Sequence, residues 1–395
     1  MPEPKVRFMK DDGSRYPAWK EYSISDLFTK IGNKNKDGQN TNVITNSAEF
    51  GLIPQRDYFD KDIAVEGNTG NYTIIQTGDF VYNPRKSSYA PMGPFNCYRL
   101  EEDGIVSPLY SCLRPKGVLN PEYLLWYFQT DKWYGYVNEH GAQNGARHDR
   151  VGMTDKILMG IPVTAPCEEE QQKISDFLSS VDEVISTSEQ EVANLETQKK
   201  AVMKKIFSQE VRFKRTDGSD FPEWEERRLD EVVEFLDGMR KPIETGDRVA
   251  GPYPYYGASG ITDYVEGYIF DEDLILLSED GANILDRNYR VCFMARGKYW
   301  VNNHAHVLRA NTDCVNEYIC EYLESLDYSR MNSGSAQPKL NQQTCRKIPV
   351  KKPCLEEQRL IADFLSDFDE AIAAAKKELE LWKELKKGLL QQMFV

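Results

Sequence analysis

The sequence predicts an α+β fold: two mixed α/β domains derived from an internal duplication, joined by two long helices packed as an antiparallel coiled coil. Three observations carry this expectation. Two sequence blocks occur twice, a helical apolar stripe follows each closing block, and β-rich segments with turn signals lie between the blocks.

The opening block reads Val6-Arg7-Phe8, Asp12-Gly13-Ser14, Tyr16-Pro17 and Trp19. It returns 205 residues later as Val211-Arg212-Phe213, Asp217-Gly218-Ser219, Phe221-Pro222 and Trp224. The closing block reads Ile161-Pro162-Val163, Pro166-Cys167 and Glu170-Gln171, and returns 187 residues later as Ile348-Pro349-Val350, Pro353-Cys354 and Glu357-Gln358. The offsets differ by 18, so each half holds a constant opening, a variable middle and a constant close, with the first middle longer by that amount. The expected segments are a domain over 1–166, a helix over 167–208, a domain over 209–353 and a helix over 354–395.

The first middle has strand-like runs at Tyr72–Ile75, Gly78–Tyr82 and Gly104–Ser107, with a helix expected from Pro121 to Trp133. The second repeats the order with Gly267–Phe270, Leu274–Leu277, Arg290–Phe293 and a helix near Asn316 to Leu326. After each close, apolar residues recur in steps of 3, 4 and 7: Ile174, Phe177, Leu178, Val181, Val184 and Ile185 in one copy, Ile361, Phe364, Leu365, Phe368, Ala371 and Ile372 in the other. Glu168–Glu170 and Glu356-Glu357 suit helix N-termini, and no proline interrupts either run. A helix of about 40 residues is about 60 Å long. A stripe of that length needs an equally long partner, and two copies related by an approximate two-fold lie antiparallel.

Composition bounds the function. Apolar residues make up 40% and charged residues 28% of the 395, an ordinary globular balance. No apolar run reaches membrane-spanning length, and Met1–Lys5 is not the start of a secretory signal, so a cytoplasmic protein with reduced thiols among its 8 cysteines is expected. The net charge of −14 argues against indiscriminate nucleic-acid binding. Residues 20–166 carry −2 and 225–353 carry −5, whereas the two helices carry −4 and −3, half of the excess acid.

No catalytic set is expected. Asn83-Pro84 continues with Arg85 rather than with the proline and aromatic of an adenine-holding hairpin, and no GxxxxGK[ST] segment occurs. Glu384-Leu385-Lys386 reads as a solvated helix face. His304 and His306 alternate and read as structural histidines, so no metal site is expected.

With these blocks in place, the chain resembles the specificity subunit of type I restriction–modification systems over essentially its full length. The resemblance rests on Ile161–Leu178 and Ile348–Leu365, on the helix ends Lys204–Phe207 and Gln391–Phe394, and on Tyr255–Ile261, Glu279–Asn283 and Gly334–Asn341. Tyr82–Lys86 and Gly141–Gln143 match more loosely, and Asn144–Met153 departs from the second domain's pattern. The resemblance implies two target recognition domains, each reading one half of a split sequence in double-stranded DNA, with the helices as spacer. It implies two methyltransferase subunits as partners and, in restriction complexes, two translocating nuclease subunits. This chain would hold no cofactor. S-adenosylmethionine for adenine methylation, and ATP and Mg for restriction, would sit on the partners.

In that context the expected DNA contacts are Arg85, Lys86, Ser87 and Tyr89 in one loop and Gln143, Asn144, Arg147 and His148, with Arg150, in another. In the second domain they are Arg240, Lys241, Tyr256, Ser259, Asn283, Gln337, Lys339 and Asn341, with Tyr255 and Tyr256 reading equally as core. Phe177, Leu178, Phe364 and Leu365, near the domain ends of the helices, are expected to dock the methyltransferase as well as each other. Two alternatives stay open: a dumbbell scaffold binding proteins rather than DNA, and an inactive paralogue.

Overall fold

The computed structural model describes residues 3–58, 69–141, 149–334 and 337–395. The chain forms two compact units, and they do not follow its linear segments. One comprises Met1–Thr187 with Leu379–Val395, the other Ser188–Glu378. Each long helix, Glu168–Phe207 and Leu355–Met393, therefore contributes one part to each unit.

The first unit contains two four-stranded sheets. One is antiparallel throughout, in the order Phe28–Lys30, Ser111–Pro115, Phe80–Tyr82, Phe95–Cys97. The other runs Gly51–Pro54, Val43–Ser47, Gly104–Val106, Thr73–Ile75, and its Val43–Ser47 and Gly104–Val106 strands are parallel. A separate ribbon pairs Lys20–Ser23 with Pro162–Ala165 and so ties the domain's first strand to its last. The first of the four-stranded sheets packs against the helix Pro121–Phe128, with Phe80, Phe95, Phe128 and Trp133 in one buried aromatic cluster. The helix stops at Phe128 instead of continuing to Trp133. The Thr130 hydroxyl caps the Tyr127 carbonyl at 2.7 Å and the Trp133 indole N–H caps that of Phe128 at 3.3 Å, and a new helix starts at Tyr134.

The second unit repeats this topology with different residues. Its antiparallel sheet runs Val233–Phe235, Ala305–Ala310, Leu274–Ser278, Cys292–Ala295. Its mixed sheet runs Gly260–Val265, Ala250–Gly257, Lys298–Val301, Phe270–Asp271, with the parallel pair again in the middle. Glu225–Arg228 and Pro349–Lys352 form the closing ribbon. The helix Asn316–Glu324 ends on the same kind of side-chain cap, Ser325 Oγ to the Tyr322 carbonyl at 2.6 Å and Tyr328 OH to that of Leu323 at 2.8 Å.

The twice-written blocks explain the repetition. Glu170 is wholly buried and takes both donors of Arg7 at 2.9 Å. Glu357, also wholly buried, takes those of Arg212 at 3.2 and 3.0 Å. Gln171 and Gln358 each donate to a proline carbonyl, Pro166 and Pro353, at 2.9 Å. Their side-chain oxygens each receive, at 2.9 Å, the free backbone N–H at the start of a domain helix, Asn120 and Val315. Arg–Glu and Gln thus fasten opening block, domain helix and long helix together in both copies.

Within each unit the two long-helix segments run antiparallel. In the first, Lys386 meets Asp182, while Met393 and Phe394 join Ile174 and Leu178 in one core. In the second, Lys376 meets Glu196 at 2.6 Å and Lys199 meets Asp369 at 2.6 Å, while Ile361 and Leu365 share a core with Met203 and Ile206. Among the described residues no helix is long and apolar enough to cross a membrane.

Candidate nucleic-acid interface

In the first unit, the strand Phe80–Tyr82 runs into an exposed loop. Arg85, Lys86, Ser87 and Tyr89 are all exposed, Tyr89 to 70%. The loop's base is rigid. Asn83 is buried and donates to the Asn46 carbonyl at 3.1 Å, while its side-chain oxygen receives the Arg85 N–H at 3.0 Å. At the far end Gly93 has φ +81, and a Cβ there would lie 2.1 Å from the Asn83 oxygen, so only glycine fits. Beside this loop runs a second one. Lys86 N–H donates to the Asp149 carbonyl at 2.9 Å and Val151 N–H to that of Pro84 at 2.8 Å. These two bonds flank Arg85 and Arg150, which face each other as an antiparallel bridge. Among the described residues neither Arg85 nor Lys86 has a side-chain partner, and Arg150 has only Asp149, at 3.8 Å. Burial raises the Tyr110 phenol, while a backbone hydrogen bond with Asn46 and the charges of Arg85 and Arg150 pull it the other way. Gln143, Asn144, Arg147 and His148 lie outside the described residues.

In the second unit the same ladder carries Asp280 opposite Lys339, flanked by Leu340 N–H to the Glu279 carbonyl at 2.7 Å and Gly281 N–H to the Pro338 carbonyl at 3.0 Å. Beneath it lies a buried polar network. His306 is 1% exposed, with Nδ1 at 2.7 Å from Asp237 and Nε2 at 2.8 Å from the Leu340 carbonyl. Both ring nitrogens face acceptors, so both must donate, and the ring is an imidazolium. Burial alone would lower its pKa, but the hydrogen bond to Asp237 overrides this and lifts it to about 10. Burial works to raise the Asp237 carboxyl, yet His306 and its other donors hold it below the usual range. Asp237 also accepts from Val307 N–H at 2.9 Å and from Gln342 at 2.7 Å. Arg240 completes the network, 2.7 Å from Glu279 and 2.8 Å from the Ala305 carbonyl.

Asp237, Glu279 and His306 bring three ligand-type atoms within 4.8 Å of one another. They do not suit a cation. The Arg240 guanidinium already neutralises both carboxylates, at 3.5 and 2.7 Å, and no lone pair of His306 is free.

Several of the expected contact residues are placed inside this scaffold. Arg240 has its guanidinium spent on Glu279, Asp237 and backbone carbonyls, and is 13% exposed. Asn283 clamps its own loop, accepting Tyr289 N–H at 2.8 Å and donating to the Tyr289 carbonyl at 3.1 Å. Asn341 is the N-cap of the short helix Gln342–Cys345, accepting from Thr344 N–H at 2.9 Å. Tyr256 is half-buried between Phe293 and Tyr299, with ring centroids at 5.9 and 5.5 Å. Lys241, Ser259 and Gln337 are exposed, and Lys339 is half-exposed with Nζ 3.4 Å from Glu279. Sequence reasoning missed Asp237, Glu279 and Gln342 as loop anchors. The alternation of His304 and His306 was the one available signal, and their partners lie too far off in sequence to show.

Leu178 and Leu365, expected to help dock a partner, are wholly buried in the cores of their own units and form no surface, which corrects that expectation. Adjacent helix positions point about 100° apart. Phe177 and Phe364 therefore stay 40% and 36% exposed, each edge-on to a phenylalanine of the opening block, Phe8 at 5.8 Å and Phe213 at 5.6 Å.

Residues 222–381 match the family model described as the type I restriction modification DNA specificity domain. A Haemophilus influenzae protein named "Putative type I restriction enzyme specificity subunit" is 37% identical over 152 residues, 38% of this chain and 38% of that protein. The type I restriction enzyme MjaVIII specificity subunit of Methanocaldococcus jannaschii is 27% identical over 202 residues, 48% of this chain and 46% of that protein. The chain thus spans less than half the length of these two relatives. The crystal structure of a type I restriction–modification S subunit from M. genitalium is similar in fold, with a TM-score of 0.60 at 16% identity, covering 100% of this chain and 99% of that one. Residues 222–381 are thus similar in sequence to a type I specificity domain, and the chain is similar in fold to a solved S subunit.

Proposed function

We propose that this chain is the DNA-recognition subunit of a type I restriction–modification complex, each domain reading one half of a bipartite target. One observation carries the reading. Both domains present the same two-stranded ladder, Arg85 with Arg150 and Asp280 with Lys339, closed by the same two backbone bonds just beyond a sheet strand and carrying different side chains in the two copies. Loops held on a rigid frame can change their side chains without moving the frame, which a reader of variable sequences requires. The match over 222–381 supports the same reading.

In this role the chain supplies binding and orientation only. Two methyltransferase subunits dock on it and modify adenine, holding S-adenosylmethionine themselves. Where restriction subunits join, these bring ATP and Mg. The long helices act as the spacer that sets the distance between half-sites. An adenine leaves the stack to reach a methyltransferase, so the reader must hold the flanking duplex while the partner takes the base.

The test is methylome sequencing of a host carrying this chain and its methyltransferase. The expected result is adenine methylation at one split motif. Replacing residues 225–348 with the same segment of another specificity subunit should change one half of that motif and leave the other. A methylome indifferent to that exchange overturns the proposal.

A further inference from the structure

We infer that Arg85 and Arg150 together clamp one backbone phosphate of the duplex, and that the second domain has no equivalent clamp. The inference rests on the DNA-binding reading and adds to it a ligand, a residue pair and an asymmetry.

The geometry comes from the backbone. Lys86 N–H to Asp149 and Val151 N–H to Pro84 flank the pair, so Arg85 and Arg150 are a non-hydrogen-bonded pair. That is the closest approach an antiparallel ladder offers, with Cα atoms about 4.5 Å apart and both side chains on one face. Like charges directly opposite each other cost stability. Among the described residues the one acid paired with them, Asp149, sits 3.8 Å from Arg150 and is half-exposed, so with Lys86 the described patch keeps an excess of positive charge. A phosphodiester relieves the repulsion. Its two unesterified oxygens can accept from two guanidinium forks at once, the geometry arginine suits better than lysine.

The second domain is the internal control. At the same place in its ladder, with the same pair of flanking bonds, stand Asp280 and Lys339. Asp280 takes His304 Nδ1 at 2.9 Å, and Lys339 lies 3.4 Å from Glu279. Each of the two has its own partner there, and the pair asks for no anion.

The test uses the full chain assembled with its methyltransferase and a duplex carrying the methylated site. Each backbone phosphate is replaced in turn by a neutral methylphosphonate. One replacement should weaken binding by the unaltered complex and leave binding by the Arg85→Gln, Arg150→Gln double variant unchanged. That variant should also lower the slope of log K against log salt by about 0.9, the value for one phosphate contact. Asp280→Arg should raise the slope by a similar amount, since it recreates the like-charge pair. All three positions lie at the exposed ladder, and the single variants Arg85→Gln and Arg150→Gln provide a control for folding. An unchanged slope in the double variant overturns the clamp. So does a loss that follows replacement of one G·C pair rather than any methylphosphonate, because the arginines would then be reading a base edge. If the unaltered complex cannot tell its site from a scrambled duplex, the DNA-binding reading itself falls, an outcome distinct from either.

Discussion

The two domains share a backbone frame and differ in what fills it. Tyr82 pairs with Ser111 where Leu277 pairs with His306, and Pro84 receives Val151 N–H where Glu279 receives that of Leu340. Ile31 N–H donates to Cys112 as Leu236 N–H donates to Val307, so Gly32 holds the place of Asp237. Where the second domain has a half-buried aspartate and glutamate and a buried histidine, the first has glycine, proline and serine. The lesson is a division of labour. The twice-written blocks hold the frame with the same Arg–Glu and Gln bonds, and the ladder's surroundings are free to change: charged and self-satisfied in one copy, cationic and open in the other.

The frame should be the most expensive part to break. Glu170→Ala or Glu357→Ala leaves a largely buried arginine without its carboxylate, a change that costs about 3–5 kcal/mol. Glu357 should cost more, because it also accepts the Trp224 indole N–H at 2.9 Å, whereas the matching Trp19 indole N–H has no partner among the described residues. Urea unfolding of both variants measures this. Losses under about 1 kcal/mol would mean that the shared blocks do not hold the frame, and equal losses that the Trp224 bond adds nothing.

The frame was legible in the sequence and its contents were not, for a physical reason. Arg7, Glu170 and Gln171 repeat as Arg212, Glu357 and Gln358, so duplication exposes them without a structure. What they do is invisible, since Arg7 and Glu170 are joined only by folding. The variable middles share strand order yet little sequence, because a sheet constrains burial and alternation more than residue identity. Of the expected contacts, Arg85 and Lys86 emerge on an exposed loop, whereas Arg240, Asn283 and Asn341 are spent on carboxylates, backbone and a helix cap. Residue type predicts the bonds a side chain can make, and tertiary neighbours decide which of them are already made.

The buried network should make the second domain, and not the first, sensitive to alkaline pH. Unfolded histidine releases its proton near pH 6.5, whereas folded His306 keeps it to about 10. The stabilisation is complete below the first value and is lost as pH rises to the second, by about 1.4 kcal/mol per unit between them. Stability should therefore drop by about 2.5 kcal/mol from pH 7 to pH 9, and the His306→Asn variant should lose most of this slope. Hydrogen exchange should place the loss in Ala305–Ala310 and leave Ser111–Pro115 unaffected. A slope that survives His306→Asn, or one centred on the first domain, would break the contrast between the copies.

The smallest effect concerns the helix ends. Lys199 and Lys386 are duplication mates, and each meets the matching aspartate of the other helix within its own unit, Asp369 and Asp182. The third partner differs. Lys199 also binds buried Glu321 at 2.9 Å, whereas Lys386 lies 4.9 Å over the Trp126 ring. An ammonium on an indole face is worth about 0.5–1 kcal/mol when partly exposed. Asp182 is 40% exposed, and such a pair contributes little more. Lys386→Met keeps the aliphatic stem on Trp126 and should cost about 1 kcal/mol. Lys199→Met leaves the Glu321 carboxylate with Arg290 as its remaining cation and should cost more than Lys386→Met, because the pair it breaks is buried. Chemical denaturation of the two variants decides the point. If they cost the same, the exchange of glutamate for tryptophan at this position is energetically silent.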